Sequence, residues 1–406
     1  MAINGKAGFH NLVRVMRNPD NAWFTSGSFI SFVGTWVQRI GLGWMAWELT
    51  HSATWLGIIS LADLLPTVFV GPFAGALADR LHRVRLVQVT QCLAAVQALA
   101  LTVLAYSGQA TIEAVVALTA VSGIISASWQ PARLSLIAAL SPREDLSASI
   151  AVNSLAFHTS RFVGPLLAGV VIANGGVALA FAVNAVSYIA ILFSLTRLRP
   201  GVAGPRPARA ASLGRDIVEG YSYAARHKGI GPALLLAFIT AMFGRALLEL
   251  LPGYSDRIFA AGATGLAWMT AVNGAGAIVA GFWIAQRGGV AGLTRLTNRN
   301  VLLAGVALLA FAAAPNILLG LVCMFALGFA LLVCGIANQT LVQHAVDESM
   351  RGRVGGLLGM IWRGSPALGA RAMGATADRF GLTWPTVGAG LWALRHEKQT
   401  AAALEI

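Results

Sequence analysis

Apolar residues run in long blocks separated by short polar turns, and the blocks are longer than a soluble core would need. Leu56 to Ala78 is one such block and Leu86 to Tyr106 the next. Each supplies the about 20 residues that a helix rising about 1.5 Å per residue needs to cross a bilayer. The same pattern predicts twelve helices, near 22–48, 55–78, 85–106, 112–133, 148–172, 177–196, 231–254, 264–285, 300–314, 317–340, 354–377 and 383–394. One long polar interval, rich in Arg, Pro and Gly, separates the first six from the last six. The chain therefore reads as an all-α polytopic membrane protein. An N-terminal six-helix bundle covers 1–199, a cytoplasmic linker 200–230 and a C-terminal six-helix bundle 231–406. Within the linker, Leu213 to Ala225 suits either an amphipathic surface helix or a solvated tether. The last block holds only about a dozen apolar residues before Arg395, short for a core of about 30 Å unless the bilayer thins.

Composition agrees: 57% of residues are hydrophobic and 11% charged, outside the range of soluble domains. The net charge of +13 is scattered over short loops and not gathered on one basic face, which argues against nucleic acid as a partner. With the N-terminus inside, 21 of the 29 Lys and Arg fall on the cytoplasmic side and 2, Arg257 and Arg379, fall outside. That bias predicts an inner-membrane protein with both termini cytoplasmic. Cys92, Cys323 and Cys334 lie inside apolar blocks and read as packing residues rather than a disulfide framework. Residues 1–20 have no short apolar core, so the first span itself is expected to direct insertion.

Charges inside spans are costly and mark function, so their placement is informative. The apolar bodies of spans 3, 6, 9 and 12 carry none, as expected if every third helix faces lipid. Arg39 on span 1 and Asp63 on span 2 lie at similar depth, about 6 Å and about 4–5 Å outward of their span centres. They can form a permanent structural pair, or Arg39 can hold Asp63 ionised until substrate or proton competes. Gln38 points to another side of the helix, where a cavity would lie. Trp36, one turn from Arg39, can pack against an aromatic substrate. His158 and Arg161 on span 5 are one turn apart near mid-membrane. They form an anion-attracting or proton-exchanging patch, or bond to neighbouring carbonyls. Arg245 and Glu249 on span 7 are four residues apart and can neutralise each other, with Glu249 a second protonation candidate.

The two halves echo one another. Ser141-Pro-Arg143-Glu144-Asp145 precedes a span containing Gly164-Pro165 and Gly169, and Asp347-Glu348-Ser-Met-Arg351-Gly-Arg353 precedes one containing Ser365-Pro366 and Gly369. Between spans 2 and 3 stands Gly75-Ala-Leu-Ala-Asp79-Arg80-Leu-His82-Arg83-Val-Arg85. A repeat of six spans about a central loop is the transporter arrangement with a site at mid-membrane. These features together resemble the major facilitator superfamily over residues 20 to about 382. The 75–85 turn resembles its loop between spans 2 and 3, with His82 in place of the second glycine. Gly164-Pro165-Leu-Leu-Ala-Gly169 resembles the antiporter motif of drug exporters, with Ser160 in place of its leading glycine. Gly34-Thr-Trp-Val-Gln38-Arg39, Trp129-Gln-Pro131-Ala-Arg133 and Arg351-Gly-Arg353-Val354 are similar to the branch of enterobactin and macrolide exporters.

The resemblance implies two six-helix bundles about a central cavity lined in part by span 1, acting as a monomer. Asp79, in the gating turn with Gly75, Arg80 and Arg83, can accept from the N–H groups at the start of span 11 and favour its dipole there. The expected function is proton-driven efflux of an amphipathic small molecule, such as a siderophore or antibiotic, with no cofactor and no metal. No GxxxxGK[ST] motif is present to use ATP directly. A facilitator or importer on the same fold is the nearest rival. A membrane enzyme would need a nucleophile–base or metal constellation, and the seven histidines are dispersed. A sensing receptor would call for an attached signalling domain.

Overall fold

The structure, a computed structural model, describes residues 13–80, 82–142, 144–199, 213–227, 229–287, 292–348 and 350–395, without the side chains of 72–80, 131, 213–218, 285, 351 and 363. Helices run α1 Pro19–Thr50, α2 Ala53–Arg80, α3 Arg83–Tyr106, α4 Ile112–Leu140 and α5 Leu146–Thr196. After them come α6 Leu213–Arg226, α7 Ile230–Ile258, α8 Gly262–Arg287, α9 Leu293–Ala312, α10 Ile317–Ala345, α11 Arg351–Phe380 and α12 Thr383–Arg395. Every apolar block named above is helical. Among the described residues, seven helical stretches are both long and apolar enough to cross a membrane.

Two interruptions are informative. α5 breaks at Gly176, whose φ of 67° and ψ of −172° only glycine adopts cheaply, and so carries two predicted spans in one element. α7 contains two π-helical turns, Thr240–Arg245 and Tyr254–Ile258. Such turns widen a helix and re-aim the side chains they carry.

The chain packs as two units. The first holds residues up to Met45 and Pro66–Arg209; the second holds Ala46–Leu65 and everything from Ala210. The boundaries fall inside α1 and α2, so the hairpin joining those helices belongs to the second unit. In the first unit α3 packs on α4 and α5 around Phe24, Ala98, Leu136 and Ile191. The outer face of α3 is a ladder of Val89, Val96 and Val103, each more than half exposed, while Gln91 and Gln97 lie on its buried face. That inversion of a soluble helix is the mark of a lipid-facing element. The second unit has a core of Ile230, Val354 and Leu358, with α10 against α8 and α9, and α12 against α9.

Leu213–Arg226 is helical and docks within the second unit. Glu219 pairs with Arg353 at 3.1 Å, and the Tyr223 hydroxyl donates to Asp347 Oδ2 at 2.9 Å. The amphipathic alternative prevails over the tether because these contacts, with Gly220 close to the Arg353 backbone, give the polar segment a partner.

Candidate functional site

In the first unit the site is built on one indole. Trp36 and Arg39 share a face of α1, one helical turn apart, with the guanidinium 5.8 Å from the ring centre. Arg161 reaches the same ring from α5 at 5.6 Å. The approach depends on Gly164, where an added β-carbon would overlap Trp36 Cβ. One residue on, Pro165 has no N–H to give the Arg161 carbonyl, so the α5 ladder is open at the turn that carries the arginine. All three side chains are half-buried. His158, one turn before Arg161, stacks edge-on to Phe157, which in turn meets Phe32. Guanidinium groups stay charged at any physiological pH, and each cation–π contact contributes about 0.5–2 kcal/mol. Two permanent cations about one aromatic ring suit a ligand that is both anionic and flat. Gly169, like Gly164 and Pro165, is buried in the packed part of α5.

Gln38 departs from the expectation that it faces a cavity. It is 4% exposed and lies in a buried amide chain. Asn184 Nδ2 donates to Gln38 Oε1 at 2.8 Å, Gln38 Nε2 donates to Gln97 Oε1 at 3.2 Å, and Gln97 Nε2 donates to the Leu118 carbonyl at 3.1 Å. An amide surrounded by lipid-facing helices is satisfied by other amides, and that requirement turns the side chain inward. The sequence hides the chain because its members lie on α1, α3 and α5 with no local spacing.

Arg133 is a further buried cation, legible in the sequence only as part of the Trp129–Arg133 motif. Its guanidinium lies 4.6 Å from Phe32 and 5.5 Å from Trp129, and Nη2 donates to Asn153 Oδ1 at 3.1 Å. The Trp129–Arg133 spacing of four was the available signal.

The second unit repeats the theme. Arg245, at the end of the first π-turn of α7, lies 5.8 Å from the ring centre of Trp362 on α11. Trp362 borders a cavity of about 310 Å³ lined also by Gln339, Gln343, Val354 and Leu358. Pro366 stands four residues after Trp362, as Pro165 does after Arg161, and frees the carbonyl of the aromatic residue. Close passage of α11 over α7 depends on Gly369, where a β-carbon would overlap the Met242 carbonyl. Glu249, four residues after Arg245 and half-buried, follows the π-turn.

Asp63 lies half-buried on α2 in the segment grouped with the second unit, whereas Arg39 belongs to the first. Gly75, Asp79 and Arg80 end α2, and their side chains lie outside the described residues. Arg83 of the same turn is buried at the head of α3, with Nε lacking a hydrogen-bond partner among the described residues.

Helical bundles with cationic, aromatic interiors and lipid-facing outer ladders define a membrane transporter of the major facilitator type. The chain belongs to that superfamily, in the family described as transmembrane secretion effector, which matches residues 16–397. It is 27% identical to the staphyloferrin A transporter of Staphylococcus aureus (strain NCTC 8325 / PS 47), over 89% of this chain and 90% of that protein. It is 25% identical to the enterobactin exporter EntS of Escherichia coli (strain K12), over 98% of each. Its fold is similar to the crystal structure of the peptide transporter POT (TM-score 0.78, 15% identity, 94% of this chain and 93% of that one). It is likewise similar to that of the nucleoside transporter NupG (TM-score 0.72, 16% identity, 95% and 99%). The family consists of transporters, so the chain is not an enzyme.

Proposed function

We propose that this protein is a secondary active exporter of an anionic, amphipathic small molecule of the siderophore kind. It spans the plasma membrane twelve times with both termini cytoplasmic, works as a monomer by alternating access, and takes in protons. The observation that carries the substrate class is the pair of guanidinium groups, Arg39 and Arg161, about the Trp36 ring. Carboxylate or catecholate oxygens would meet the arginines, and an aromatic or planar amide face would meet the indole. Arg245 over Trp362 offers a second contact of the same chemistry. The names of the staphyloferrin A and enterobactin relatives point to the same class.

Asp63 is the first candidate to carry the coupling proton and Glu249 the second. Each is a carboxyl within an apolar helix, where an ionisable group is costly and marks function. Asp79, with Gly75, Arg80 and Arg83, would close the cytoplasmic side by favouring the dipole at the start of span 11.

The test is uptake of a radiolabelled hydroxycarboxylate or catecholate siderophore into inverted vesicles under an imposed pH gradient, acid inside. Concentrative uptake that collapses when the gradient is dissipated is expected. Concentrative uptake only in right-side-out vesicles would make the protein an importer, and no uptake of either chemical class would remove the siderophore assignment.

A further inference from the structure

The tip of the α1–α2 hairpin is capped at both helix ends by residues of other helices. At the start of α2, Asp378 Oδ1 accepts from the Ala53 N–H at 2.8 Å. Its Oδ2 accepts from the Thr54 N–H at 3.0 Å and from the Ser52 hydroxyl at 2.5 Å. Just past the end of α1, Arg257 Nη2 donates to the His51 carbonyl at 2.7 Å, and its guanidinium lies 4.8 Å from the Trp47 ring centre. Trp47 Nε1 in turn donates to Asp256 Oδ2 at 2.9 Å. An acid thus meets the positive end of one helix dipole and a base the negative end of the other.

The placement is unusual for simple capping. A helix start is ordinarily capped locally, by the Ser, Thr, Asp or Asn at its own N-cap position. Ser52 stands where such a cap would, yet its hydroxyl is turned to Asp378. Space for the contact is provided by glycine: a β-carbon on Gly57 would stand 2.6 Å from the Ala370 carbonyl oxygen, and one on Gly374 would overlap the Ala53 carbonyl. His51 turns the corner with φ of 48°, a conformation that costs a non-glycine residue energy and that its neighbours must hold.

We propose that Asp378 and Arg257 are positioning residues of the transport cycle. They form a two-ended charge latch that holds the α1–α2 hairpin closed against α7 and α11 and lets go in another state. The hairpin is continuous with α1, the helix that carries Trp36 and Arg39, so freeing its tip frees one end of the helix that holds part of the proposed site. Water at the membrane surface can take over the released N–H and C=O groups, which keeps both states accessible. That this face lies outside rests on the orientation proposed above; the existence of the latch does not.

Spin labels at Leu49 and Phe380, exposed and outside the latch contacts, would report it in reconstituted full-length protein with Cys92, Cys323 and Cys334 replaced by alanine. The parent should show a narrow, short distance distribution. Asp378→Asn and, independently, Arg257→Gln should raise the ratio of open to closed distances roughly 2- to 5-fold, as the loss of one charge–dipole contact allows. Adding Ser52→Asp to Asp378→Asn restores a local N-cap but not the latch, so the long distances should persist. Unchanged distances in both single variants would overturn the proposal. So would full recovery on adding Ser52→Asp, because Asp378 would then be only a helix cap. The measurement needs no substrate and no sidedness, so its failure is separate from failure of the exporter assignment.

Discussion

Asn184 and Gln38 are joined amide to amide at 2.8 Å across α5 and α1, in a chain that continues through Gln97 to the Leu118 carbonyl. Asn184 also has the Ser187 hydroxyl as a donor and Tyr188 close by, so the node is fully occupied. In lipid such bonds specify which helices are neighbours, since apolar contact does not distinguish a helix from an acyl chain.

Asn184→Leu should therefore cost stability, by about 0.6–1.7 kcal/mol, the range for side-chain hydrogen bonds between membrane helices. Gln38→Leu should cost a similar amount. The double variant should cost less than the sum, because the second change removes a partner already lost. Thermal unfolding in detergent measures all three.

Trp36→Ala should weaken substrate binding by about 5- to 30-fold, corresponding to about 1–2 kcal/mol for losing the ring that both cations contact. Trp36→Phe should retain part of the affinity. Arg161→Gln should lower affinity for an anionic ligand more than for a neutral analogue of the same shape. Equilibrium binding of both ligands to purified protein separates charge recognition from loss of fold, which would weaken both alike.

Asp63→Asn should act as a permanently protonated carboxyl. Downhill substrate exchange in proteoliposomes should continue, while accumulation driven by an imposed pH gradient should disappear. Continued concentrative transport would move the coupling role to Glu249.

Gly369→Ala should destabilise the second unit by about 1–3 kcal/mol, because the added methyl meets the Met242 backbone and neither helix can yield without moving its neighbours. Gly356→Ala, where nothing lies within 4 Å of the new carbon, should be neutral or slightly stabilising. The comparison isolates close helix approach from glycine content.

The Asp378 contact should be insensitive to pH between about 5 and 8. Partial burial pushes its carboxyl up, but hydrogen bonds from the Ser52 and Thr54 side chains and the Thr54 and Ala53 N–H groups outweigh that and hold it below the usual carboxylate range. A depressed value means the ionised, bonded form persists above the ordinary carboxylate pKa and is lost only as pH falls through the lower one. The other titratable and charged groups around the hairpin are Glu48, His51, Asp256, Arg257 and Arg379, and hairpin-tip distances followed across this range check the expectation. A pH-dependent change in those distances within this range would overturn the expectation.

Sequence by itself determined the class of protein, the helical blocks and the residues of intramembrane charge, because the cost of polar groups in lipid is written into composition and block length. It placed Trp36 and Arg39 on one face, since a spacing of three is local geometry. Only the tertiary structure brought Arg161 to the same indole, through a close approach that Gly164 permits and no periodicity announces. It also turned Gln38 from a cavity candidate into an internal bond. An amide's orientation depends on where its partners lie, and here they are 59 and 146 residues away. The assignment of residues 46–65 to the second unit was likewise invisible along the chain. Helices are local and hydropathy finds them, whereas the contacts between helices join residues hundreds of positions apart, such as Ala53 and Asp378, and are decided by shape and hydrogen-bond satisfaction.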